Sequence, residues 1–166
     1  MNIEGVEIDE KITALSRQYF DLPQDVEVTT YDGRAYLQAT DGKYDVIMVD
    51  AYQDITIPFQ MSSREFFSLV KEHLKEGGVM VVNMNMHSAG EGNINDYLTD
   101  TIASVFGTVC TADVKGTTNR ELFASDNPKI AEVLKSSAAE LKDPQLRGAM
   151  NDVAGSLSFA SGGDFI

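Results

Sequence analysis

The sequence predicts an α/β fold built on a mostly parallel sheet. Val46, Ile47, Met48 and Val49, and later Val79 to Val82, are apolar runs too short for helices and free of polar alternation. That is the pattern of strands buried on both faces. Between such runs lie stretches with apolar residues three and four apart, the period of helices packed on a sheet. Acids close the strand-like runs: Asp9 after Ile3 to Ile8, Asp32 after Val26 to Tyr31, and Asp50 after Val49. Ligands of open α/β sheets bind at the carboxyl ends of strands, so these acids are also the first candidates for function.

Taken in order, Ile3 to Ile8 reads as a strand, and Asp9 as the cap of a helix in which Ile12, Leu15 and Tyr19 share a face before Pro23. Val26 to Tyr31 is β-branched and alternating, and Asp32-Gly33 is its turn signal. A short helix over Arg34 to Ala39 precedes the central strand. Ser62 and Glu65 form a capping box, with Met61 and Phe66 as its hydrophobic staple, and Gly77 is expected to end that helix. Val79 to Val82 is the next strand and Asn83 to Asn93 a loop. Ile94, Leu98, Ile102 and Val105 mark another helix. Val109 to Val114 and Leu122 to Ala124 are expected to form an antiparallel hairpin at the sheet edge. A helix follows Pro128, Pro144 opens a further one, and Ser156 to Ile166 reads as loop.

Length and composition bound the rest. The 166 residues, 43% hydrophobic and 23% charged, suit one globular domain spanning residues 1–166. A net charge of −13 argues against a nucleic-acid partner, whose phosphates it would repel, and favours a cationic one such as a polyamine. Taken alone, a solvated acidic surface is the simpler account of that charge. The single cysteine, Cys110, excludes an internal disulfide and a multi-thiolate zinc site. His73 and His87 lack the spacing of a helical metal pair, so no metal is expected. No run is long enough to span a bilayer and no signal peptide opens the chain, which leads to the expectation of a cytoplasmic protein without membrane contact of its own.

A carboxylate after the second strand of a nucleotide-binding unit commonly accepts bonds from ribose hydroxyls, and an Asp at the next strand end can face an adenine amino group. Glu7 with Asp9, Asp32 with Gly33, and Asp50 are therefore read together as a nucleoside site. The alternative for Asp9 and Asp32 is a helix cap and a turn residue, and for Asp50 a cap of the following turn. Asn83, Asn85 and His87 follow a strand end and are read either as cleft-lining or as loop caps. Lys115 to Thr118 lacks the glycine-rich lead of a phosphate loop, and Ser62 and Ser63 lack a nucleophile elbow.

Four segments carry a family resemblance: VEIDEKI at Val6 to Ile12, YDG at Tyr31 to Gly33, YDVIMVDAY at Tyr44 to Tyr52, and LKEGGVMVVN at Leu74 to Asn83. In order and type they resemble spermidine synthase. DAYQDITIPFQMSSREFF (Asp50 to Phe67) and TTNRELFAS (Thr117 to Ser125) resemble more narrowly its bacterial, often membrane-fused, relatives. The resemblance implies the Rossmann-like class I methyltransferase fold. It also implies aminopropyl transfer from decarboxylated S-adenosylmethionine to putrescine or a related amine, with no metal. Carried over, it gives Glu7 the ribose hydroxyls, Asp32 the adenine amino group, and Asp50 the attacking amine. Tyr52 and Gln53, with Asp54 beside them, would line the amine channel.

The departures from the family are equally specific. The glycine-rich loop has no counterpart, the chain opens at what would be the second strand, and Gln53 stands where active synthases carry a second Asp. Loss of the first strand would leave two open strand edges. Either the remaining strands close on each other, or a second copy supplies the pairing; a homodimer is the expectation. Two other readings share these residues: an S-adenosylmethionine-dependent methyltransferase, and a non-catalytic binding or assembly domain of the same fold.

Overall fold

The computed structural model describes residues 1–51, 57–85 and 94–160. It divides into two compact units, Met1–Gly42 and Lys43–Ile166.

The first unit runs β1 (Glu4–Glu7), α1 (Glu10–Tyr19), β2 (Glu27–Thr30), α2 (Gly33–Ala39). β1 and β2 form a parallel two-stranded sheet in the register Glu4↔Glu27 to Glu7↔Thr30. Both helices start at aspartate caps: Asp9 accepts from the Lys11 N–H at 2.8 Å, and Asp32 from the Ala35 N–H at 2.8 Å. Arg17, near the end of α1, donates to the carbonyls of Pro23 (2.7 Å) and Val26 (2.9 Å) and so holds the return loop. Tyr36 on α2 donates its hydroxyl to Glu4 of β1. Burial is sparse: Leu37 is the buried residue of α2, and α1 has none. Ile12, Leu15 and Tyr19, expected to share a core face, are 48%, 44% and 65% exposed. A unit of this size has too little interior to cover an amphipathic helix and a sheet at once.

The second unit runs β3 (Tyr44–Val49), a 3₁₀ turn (Phe59–Met61), α3 (Arg64–His73), β4 (Leu74–Asn85), α4 (Ile94–Ala103), β5 (Thr108–Asp113), β6 (Asn119–Ser125), α5 (Ile130–Glu140), α6 (Pro144–Ser156) and β7 (Ser158–Phe159). Its sheet has the order β3-β4-β6-β5-β7. β3 and β4 are parallel; β6 lies antiparallel between β4 and β5, and β7 antiparallel on β5. α3 packs on β4, α4 on β5 and β6, and α6 on β5. The core is continuous: Phe66, Phe67 and Val70 of α3, Met80, Val82 and Met84 of β4, Ile102 of α4 and Leu122 of β6 are essentially without exposure.

Several elements differ from expectation. The α3 cap is Ser63, whose hydroxyl accepts from the Phe66 N–H at 3.3 Å, one residue past the expected Ser62. Ser62 instead hydrogen-bonds the Phe59 carbonyl inside the 3₁₀ turn, which the sequence pattern did not reveal. Gly77 does not end α3, which stops at His73. It takes a φ of +74° inside β4, where the pairing with β3 jumps from Tyr44↔Leu74 to Val46↔Val79. The expected edge hairpin is formed by β5 and β6, but β6 sits inside the sheet, and part of the expected C-terminal loop is β7. The hairpin turn is closed by Val114 N–H to Asn119 carbonyl (2.9 Å) with Gly116 at φ +81°.

β3 is not buried on both faces. It is the outer strand of its sheet, and Val46 and Met48 pair with Val79 and Val81, the half-buried row of β4. They are 53% and 74% exposed, while Val49 is buried with Val82. Among the described residues β1 is laddered to β2 and β3 to β4.

Candidate active site

In the first unit the expected nucleoside residues gather at the carboxyl end of the β1–β2 sheet. Glu7 ends β1 and its register partner Thr30 ends β2, with the Tyr31 N–H reaching the Glu7 carbonyl at 3.1 Å. Glu7 Oε1 accepts from the Asp9 N–H at 3.0 Å; Asp9 caps α1 and Asp32 caps α2, with Gly33 as the first residue of that helix. The capping alternative for Asp9 is thus realised, and Asp32, read alternatively as a turn residue, is a helix cap as well. Capping does not exhaust them, since one carboxylate oxygen makes each cap. Glu7 and Asp32 are half-buried, and each keeps its second oxygen without a hydrogen bond among the described residues. Two such acceptors at adjacent strand ends fit the hydroxyl and amino donors of an adenine nucleoside.

In the second unit Asp50 follows the buried Val49 at the end of β3 and is exposed. Asn83 of β4 donates its side-chain N–H to Asp50 Oδ1 at 3.2 Å, which orients the carboxylate. Asn83 is paired in register with Glu121 of β6. Burial, and then the charge of Asp50, push the Glu121 carboxyl above its ordinary value. The sequence reading passed over Glu121 because a glutamate in an alternating strand looks like a solvent-facing residue. Its place beside Asp50 depends on β6 pairing with β4, which no local pattern encodes. Tyr52, Gln53 and Asp54, expected in the amine channel, lie outside the described residues, as does His87.

A cavity of about 790 Å³ lies at the opposite end of β4, lined by Lys71, Leu74, Lys75, Phe106 and Asp126 among others. Its lysines are already paired, Lys71 with Asp126 at 2.7 Å and Lys75 with Asp45 at 2.8 Å, and it lies at the end of β4 away from Asp50. Cys110 is buried and pushed up to about 11 by burial, which makes it a poor nucleophile. Among the described residues no three His, Cys, Asp or Glu side chains form a metal cluster, and no helix is long and apolar enough to cross a membrane.

Parallel strands alternating with helices define the Rossmann-like α/β class. Two solved structures share the fold. A spermidine synthase in complex with the transition-state analogue AdoDATO superposes with a TM-score of 0.69 at 18% identity, over 89% of this chain and 56% of that one. Human methyltransferase-like protein 13 in complex with SAH gives 0.68 at 22% identity, over 98% of this chain and 74% of that one. Within that class, residues 1–114 match the Spermine/spermidine synthase domain, and the chain belongs to that family. A probable polyamine aminopropyl transferase of Bifidobacterium longum (strain NCC 2705) is 72% identical over 126 residues, 75% of this chain. The match spans 28% of that relative's length.

Proposed function

We propose that the protein to which this chain belongs is an aminopropyltransferase acting on decarboxylated S-adenosylmethionine and putrescine or a related amine. The observation that carries the reading is the family match over residues 1–114, which contains Glu7, Asp32 and Asp50 in order. In this reading Glu7 holds the ribose hydroxyls, and Asp32, with Gly33 beside it, meets the adenine amino group. Asp9 holds the Glu7 side chain in place through its own N–H.

Asp50 serves the amine. An ammonium has no lone pair, so the attacking nitrogen must be neutral. A carboxylate beside it orients the amine and takes a proton. The nitrogen lone pair then forms a bond to the aminopropyl carbon next to the sulfonium. The carbon–sulfur bond breaks, its electron pair stays on sulfur, and methylthioadenosine leaves. A sulfonium is already an activated leaving group, so the step needs neither a metal nor a covalent enzyme intermediate. Asn83, held against Asp50 Oδ1, restricts the carboxylate to one orientation. Tyr52, Gln53 and Asp54 belong to the same amine subsite in this reading. A homodimer belongs to it too, supported by β3 being laddered on one side only among the described residues.

The test is turnover by the full-length protein supplied with decarboxylated S-adenosylmethionine and putrescine, followed as methylthioadenosine. Release that falls at least about 100-fold in Asp50→Asn is expected from loss of a general base. Consumption of S-adenosylmethionine instead would make the protein a methyltransferase, and binding of nucleoside with neither turned over would make it a non-catalytic domain of the fold.

A further inference from the structure

We draw no further inference here: the strongest candidate, the cavity of about 790 Å³ at the end of β4 away from Asp50, has both of its lysines paired with aspartates, and nothing among the described residues identifies a ligand for it.

Discussion

The two units follow the same local rules and reach different degrees of order. Met1–Gly42 has capped helices, a parallel ladder and a helix with a well-marked apolar stripe, yet α1 buries nothing and Leu37 alone is buried in α2. Lys43–Ile166 uses the same devices and encloses Phe66, Phe67, Met80, Met84, Ile102 and Leu122 almost completely. Capping and periodicity therefore specify secondary structure at any size, whereas a sealed interior requires enough elements to surround it. The candidate nucleoside acids lie on the lightly packed unit, and Asp50, Asn83 and Glu121 on the tightly packed one.

The sharpest way to break this contrast is to cut into each apolar face. Phe67→Ala should cost about 3–5 kcal/mol in denaturant unfolding, because Phe67 is 1% exposed and stacks edge-on against Phe66 at 5.5 Å. Leu15→Ala, at a position 44% exposed, should cost less than about 1 kcal/mol. Comparable losses would mean that the first unit has a core of its own. A smaller effect sharpens the picture of Asp32. Asp32→Ala removes the α2 cap and should lower stability by about 1 kcal/mol, and so should Asp143→Ala, the matching cap of α6. Calorimetry with methylthioadenosine should show weakened binding in Asp32→Ala and not in Asp143→Ala; equal binding in the two would leave Asp32 as a cap alone.

The smallest effect is on pH. Burial raises the Asp126 carboxyl, but hydrogen bonds from Lys71 and from the Gly107 N–H, with the Lys71 charge, outweigh it and leave the group lowered from 3.8. A carboxyl lowered in the folded state adds stability above its unfolded value, and that stability is lost as pH falls from about 3.8 through the lowered folded value. Asp126 and Lys71 are 56% and 37% exposed, so the term should be under about 1 kcal/mol. Asp126→Asn should flatten that part of an acid-unfolding titration of the second unit. An unchanged titration would assign the acid sensitivity elsewhere, to Asp113 and its Arg120 partner first.

Much of this was readable from residue order. Periodicity located the helices beginning near Ile94 and Ile130, Pro144 opened its helix as a first-turn proline does, and the end of β3 fell at Val49, leaving Asp50 at the rim. What escaped was set by neighbours distant in sequence. Val46 and Met48 look buried because a continuous apolar run carries no sign of being an outer strand. Ser62 and Ser63 offer two competing caps, and the 3₁₀ turn before them decides for Ser63. Ser158 and Phe159 are too short a stretch to announce a strand without β5 beside them. Glu121 belongs to the same class: its chemistry comes from a partner strand.

That dependence has a consequence for the hairpin loop between β5 and β6. The loop, from Val114 to Thr118, sets how β6 faces β5, with Asp113 across from Arg120 and Ala112 across from Glu121. A residue added or deleted near Gly116 and not absorbed by the turn would slip that pairing by one and part Arg120 from Asp113. Loop length, at a spot with no chemistry of its own, thereby bears on whether that cation stays committed to its partner.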